Sequence, residues 1–390
     1  MRHFLISLFC LLILLIPSIS VSKPLSQGPF EVKGGKIKKY IGKETEVVIP
    51  EGVTGISDYA FQLCSSIESV DIPEGVKEIG YCAFFKCTSL NSIVIPGSVK
   101  EIGGAAFGGC NSLTSVEISE GVTKFGERAF IGCTSLESIA IPDGVKEIGT
   151  KAFSLCTSLE SAVIPEGLKE IRAATFAGCT SLTSIKIPKS VKEIGPSAFM
   201  GCKSLESVDI PEGVKEIALE TFGSCTSLES VVIPNSVTKI GPGAFSSCSS
   251  LTSVEISEGV KEIQLGAFRN CSSLTSIEFP KGVTSIEECA FSQCRSLMSI
   301  EIPKSVKQIG PGAFMDCESL ESVVISDGVK EICGNAFYRC TSLNTVVIPK
   351  SVTKIGKSVF WGCPRVTIRA PKGSKAEKYA KENHIPFEAK

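Results

Sequence analysis

Cysteine recurs every 23 residues, at positions 64, 87, 110, 133, 156, 179, 202, 225, 248, 271, 294, 317, 340 and 363, without an insertion or deletion. Phenylalanine keeps the same interval in another phase, from Phe61 through Phe84 and Phe107 to Phe360. By length alone, 390 residues would suit two or three ordinary domains, but the period overrides that expectation. A unit this short cannot stand alone: ordering each backbone residue costs about 1 to 2 kcal/mol, and about eight inward side chains return about 1.5 to 3 kcal/mol apiece. The units must stack, each burying its apolar side against the next, which predicts a solenoid.

One unit, residues 133–153, reads CTSLESIAIPDGVKEIGTKAF. Leu136, Ile139 and Ile141 carry the L-x-x-I-x-I spacing of a short strand, whose alternation aims Ile139 and Ile141 inward together. Pro142 has no N–H for a ladder and ends the strand. Asp143-Gly144 turns the chain, as Lys189-Ser190 does elsewhere. Val145 and Ile148 bracket Lys146-Glu147 in a second extended segment. Gly149 is expected to permit a bend, after which Ala152 and Phe153 return to the interior through a helical or turn-like corner. With strands about 4.8 Å apart, fourteen such coils would form a curved rod of about 65 to 70 Å.

The pattern C-x-S-L-x-S-[VI]-x-[IF]-[PS]-x-[GS]-V-[KT]-x-I-G-x-x-A-F resembles the BspA-like, or Treponema-type, leucine-rich repeat family. The resemblance spans residues 41–371. It implies a right-handed, β-rich horseshoe with a parallel sheet on its concave face and short extended segments, turns or short helices on its convex side. It further implies an exported or surface-displayed protein that binds host or matrix proteins or other cells, without catalytic residues. Departures are small. Ser119, Ser257 and Ser326 replace the strand-ending proline, Thr175 and Thr221 replace the Ala before Phe, and Arg172, Ala218, Gln264, Glu287 and Cys333 replace the bend glycine.

Four segments follow. Residues 1–22 read as a secretory signal peptide, with a basic start at Arg2 and His3, an apolar run from Phe4 to Ile16, and small residues at Ser18, Ser20 and Ser22. That run is shorter than the 18 or so residues of a comfortable membrane span. Residues 23–63 form an N-terminal cap and degenerate first repeat, 64–371 the repeats proper, and 372–390 a C-terminal cap in which Ser374 N-caps the helix KAEKYAKENH. Localisation is expected to be secreted or cell-surface.

An exported chain with this many cysteines would normally be a disulfide framework. Here each in-phase cysteine sits beside Leu in the inward set, and is better read as a buried thiol donating weakly to a neighbouring loop. A few bridges between adjacent coils stay open on distance alone. Cys82, Cys289 and Cys333 are out of phase and nearer the convex corner. With no C-x-x-C and no nearby His, neither a zinc site nor any other cofactor is expected. His3 and His384 are the only histidines, so nucleophile schemes have almost no base to draw on and no enzyme is expected. The glycine-rich run around Gly103 to Gly109 fits no phosphate-binding motif. A net charge of -1 argues against general nucleic-acid binding.

Outward positions of the longer strand vary from coil to coil. Four residues after each cysteine stand Glu68, Glu137, Glu160, Glu206, Glu229 and Glu321, and seven after stand Asp71, Glu117, Asp209, Glu255, Glu278 and Glu301, against one lysine, Lys186. These twelve carboxylates make the concave face acidic and form the candidate protein-binding site. Val324 and Val347, or Ala140 and Val163, add apolar footholds. Glu255, Glu278 and Glu301 should fall in one column, a mildly unfavourable arrangement that solvent, a cationic partner or calcium would relieve. The expected role is non-catalytic protein–protein or cell-surface binding, adhesin-like. The alternative is a structural spacer or self-assembling coat component without a specific ligand. Oligomeric state is left open.

Overall fold

The computed structural model describes residues 28–390, and the segment read as a signal peptide lies outside them. The chain winds as a parallel solenoid with a 23-residue step, so that Ser230, Val231, Val232 and Ile233 lie beside Ser253, Val254, Glu255 and Ile256. Nearly every coil contributes a longer strand such as Ser92–Ile95 or Ser138–Ala140 and a two-residue strand such as Glu147–Ile148. Two ladders result. The predicted alternation holds: Ile139 and Ile141 are buried while Ser138 and Ala140 are exposed.

The corner after the short strand is built from turns, with a third set of bonds between coils. Successive N–H groups alternate in target. Those of Lys151, Phe153 and Leu155 donate to the carbonyls of Ala173, Thr175 and Ala177 in the next coil, at 3.0, 2.9 and 2.7 Å, whereas those of Ala152, Ser154 and Cys156 close turns onto Gly149, Lys151 and Phe153. Every face of the coil is thereby tied to its neighbour, which leaves few buried backbone groups unpaired.

Bend geometry departs from the sequence expectation. Gly149 does not supply the left-handed conformation; Lys151 and Leu155 do, with φ of 59° and 62°. The glycine is needed for space, since a Cβ there would lie 2.4 Å from the backbone carbon of Gly126 in the preceding coil. Coils with Arg172, Ala218, Gln264, Glu287 or Cys333 at this place must therefore separate slightly to admit a side chain.

Phenylalanine rings stack along the axis. From Phe84 to Phe360 their centroids repeat at 5.2 to 5.6 Å with planes within 12° of parallel. Paired strands sit closer, at about 4.8 Å, so the stack spreads on the phenylalanine side and bows toward the strands.

Beside the rings runs the thiol row. Each Sγ from Cys87 to Cys363 donates to the carbonyl of the phenylalanine in the preceding coil, as Cys133 does to Phe107 at 3.1 Å, all within 3.1 to 3.3 Å. All 17 cysteines of the described residues are free thiols, and only Cys64 and Cys289 are partly exposed. Brief treatment of the native protein with a maleimide should therefore label Cys64 and Cys289 first and leave the row from Cys87 to Cys340 unlabelled. The same treatment in denaturant should label all 17. Mass mapping that finds Cys156 or Cys248 labelled without denaturant would contradict the packing.

Both ends are closed. Strands Phe30–Lys33 and Lys36–Tyr40 form an antiparallel hairpin whose second strand joins the short ladder at Gly55–Ile56. At the other end Ser374 caps the helix Lys375–Glu382, accepting from the Glu377 N–H at 3.2 Å. The helix stops two residues short of the predicted His384, which adopts a φ of 56°. Ala376, Tyr379 and Ala380 cover the last coil, with the Tyr379 ring edge-on to Phe360 at 6.1 Å.

Candidate binding face

The longer ladder presents the row seven residues after cysteine to solvent because its serine and the residue two further on point away from the core, and the row four after cysteine, just ahead of the strand, is exposed as well. All twelve sequence-predicted carboxylates are exposed: Glu68, Asp71, Glu117, Glu137, Glu160, Glu206, Asp209, Glu229, Glu255, Glu278, Glu301 and Glu321. None of the twelve is in a salt bridge among the described residues. The lysine in their midst, Lys186, turns instead to Glu166 on the adjoining turn, at 3.1 Å.

Register decides which of them meet. The row seven residues after cysteine begins at Val48, beside Asp71, and runs through Val94 beside Glu117, Val232 beside Glu255, and Glu301 beside Val324, itself beside Val347. Charged and apolar residues therefore mostly alternate along it. Val94, Val163, Val232 and Val324 are 42 to 64% exposed, which gives the face narrow apolar strips between carboxylates. The exception is the predicted run of three. A bridge between Ser276 and Ser299 places Glu278 next to Glu301, and the coil carrying Glu278 forms its short strand but no complete longer one. In that coil Phe279 takes the place of the usual isoleucine and sits half-buried, edge-on to Phe291 at 5.5 Å.

One member of the row escapes a reading by spacing. The last coil is shorter by a residue, so Arg369 falls beside Val347 and pairs with Glu388 at 2.7 Å. The acidic face thus ends on a fixed positive charge. A second row of carboxylates lies on the short ladder, at Glu78, Glu101, Glu147, Glu170, Glu193, Glu216, Glu262 and Glu331. Six of these are neutralised locally: Glu78 by Lys36, Glu101 by Lys124, Glu147 and Glu170 by Arg172, Glu216 by Lys239 and Glu331 by Lys354, all but the first at 2.7 to 3.5 Å. Exposed pairs of this kind are worth about 0 to 1 kcal/mol, but they make the two acidic rows unlike: one is compensated within itself, the other is open.

The exposed aromatic residues stand apart from both rows. Tyr59 and Tyr81 meet edge-on at 5.5 Å near the first coils, and Trp361 stacks on the half-buried Tyr338 at 4.9 Å near the last.

Residues 39–160, 146–272 and 239–367 each match the family described as BspA type leucine rich repeat region (6 copies). Among solved structures, a leucine-rich repeat protein from Bacteroides ovatus is 32% identical, with 91% of this chain and 94% of that one covered and a TM-score of 0.80. A leucine rich cell surface protein from Faecalibacterium prausnitzii is 31% identical over 90% of this chain and 94% of its own, with a TM-score of 0.53. The pneumococcal vaccine antigen PcpA shares the fold at 21% identity and a TM-score of 0.56, over 92% of this chain and 95% of that one. The chain matches none of the curated proteins.

Proposed function

Since the chain belongs to the BspA-type leucine-rich repeat family, we propose that it is an exported, non-catalytic binding protein whose longer-strand face engages a basic surface of another protein. The observation that carries this reading is the contrast between the two acidic rows. Six of the eight carboxylates on the short ladder are neutralised by cations of adjacent residues or coils, whereas none of the twelve on the longer-strand face is in a salt bridge among the described residues, and exposed valines stand among them. A rigid sheet of uncompensated charge with apolar strips suits protein recognition: the charges steer a basic partner and the valines supply contact area. Export is supported by the leader-like start of the sequence and by the printed description of the Faecalibacterium relative as a cell surface protein. The non-catalytic reading is supported by the uniform coils and by the placement of His384 in the closing cap.

Replacing Glu255, Glu278 and Glu301 together by lysine should abolish capture of the partner from host extracellular material and reduce attachment of coated beads to cells. Thermal unfolding should change little, because all three are exposed and a column of three lysines repeats the mild like-charge contact of three glutamates with the sign reversed. Unchanged capture and attachment by a correctly folded triple variant would leave the spacer or coat role as the better account.

A further inference from the structure

The short ladder interrupts its own charge pattern at one place. The outward residue of each short strand is charged from Glu78 to Glu262 and again at Glu331 and Lys354, but the two consecutive coils between carry Ser285 and Gln308. Ile286 beside Ile309 and Glu262 beside Ser285 fix these as neighbours in the ladder. At the same two coils the turn preceding the short strand changes sign. It reads Glu258 before, Lys281 and Lys304 within, and Asp327 after. Lys307 joins them from the position just ahead of Gln308, and Lys261 and Lys330 flank.

Five lysines are thus gathered where carboxylates have been withdrawn. All five are exposed, and none is in a salt bridge among the described residues. The Lys261 ammonium packs against the Lys281-Gly282 turn and donates to the Glu258 carbonyl at 3.3 Å, which holds two cations on adjacent coils. The patch also offers polar groups at its surface: Thr284 and Gln308 are exposed and Ser285 is half-buried.

We propose that this patch binds a linear acidic polysaccharide, its sulfates or carboxylates lying along the lysines and its hydroxyls meeting Thr284, Ser285 and Gln308. The chemistry favours this class of polyanion over others. Cations repeat here at the coil step of about 5 Å, close to the length of one sugar residue, on a straight and shallow surface. Single-stranded nucleic acid would want aromatic platforms for its bases, and the exposed Tyr59, Tyr81 and Trp361 lie in the terminal coils. A membrane surface would want an apolar flank to insert, and the residues bordering the patch are Glu258, Glu262, Asp327 and Glu331. The proposal concerns a different face from the acidic one and does not depend on it.

The test uses the chain without its leader, fluorescein-labelled sulfated dextran, neutral dextran of the same length, linear polyphosphate of matched charge, and phosphatidylglycerol vesicles. Sulfated dextran should bind, weakening as salt rises, and neutral dextran should not. Substituting Lys281, Lys304 and Lys307 by glutamate should weaken binding by about tenfold or more, since three ammonium contacts become repulsions. Substituting Lys77, Lys100 and Lys146, which stand beside Glu78, Glu101 and Glu147, should change it by less than about twofold. Undiminished binding by the first variant, an equal loss in the second, or equal binding of polyphosphate or vesicles would each overturn the proposal. Thermal unfolding of both variants keeps a folding defect distinct from a lost site.

Discussion

Raising the pH through about 9 to 10.5 should unfold the solenoid in one steep transition. Burial pushes the thiols of Cys110, Cys156, Cys202, Cys248 and Cys294 up to about 12. It raises those of Cys133, Cys179, Cys225, Cys271, Cys317 and Cys340 well above the ordinary thiol range. The sign follows from proton binding. A thiol whose folded pKa is raised holds its proton more tightly in the folded state, so its contribution is complete below the unfolded pKa of about 8.5 and is lost as pH climbs toward the folded value. At pH 10 each such thiol costs about 2 kcal/mol, and the eleven together exceed the roughly 5 to 15 kcal/mol that holds an ordinary domain. Far-UV circular dichroism and thiolate absorbance should therefore change together. Thiolate absorbance that rises while the dichroism stays native would show that the row ionises in place and would refute the account.

The second large effect is expected from Phe222→Ala. Phe222 is fully buried and stacks on Phe199 at 5.5 Å and on Phe245 at 5.4 Å. Truncating a large buried ring costs about 3 to 5 kcal/mol, through lost transfer energy and the cavity left behind. In a solenoid the damage is also positional. Stability is close to a sum of coil and nearest-neighbour terms, so a weak junction at mid-rod uncouples the halves. Urea unfolding of the variant should broaden or split into two phases, with the wild-type transition single. A loss below about 1 kcal/mol with one unchanged transition would mean that the ring spine is not what couples the coils.

Much of this architecture was legible because the period repeats each inward residue many times. Strand alternation at Ile139 and Ile141, the proline stops, the buried thiols and the Ser374 cap are all local rules read from residue type. The corner was less legible for a physical reason. Left-handed positions usually advertise themselves as glycine, yet here they carry Tyr59, Cys82, Lys151 and Leu155, because bonds to the next coil hold the conformation whatever the side chain. The glycine that did recur marked close approach of two backbones instead. On the surface, the twelve carboxylates followed from strand parity, but Arg369 did not, since a shortened last coil shifts it into the row. The gap at Ser285 and Gln308 was hidden for a different reason: it is an absence of charge, visible only once the ladder sets neighbouring coils side by side.

The corner bonding bears on how such chains arise. Because each coil presents one set of donors and acceptors to the coil before it and the matching set to the coil after it, a stretch of DNA encoding one unit can be duplicated or lost in the middle of the gene and the newly adjacent coils will meet as their predecessors did. Rod length is then an inheritable setting that moves in increments of one coil, and any surface patch can be carried nearer to or farther from either end without being redesigned.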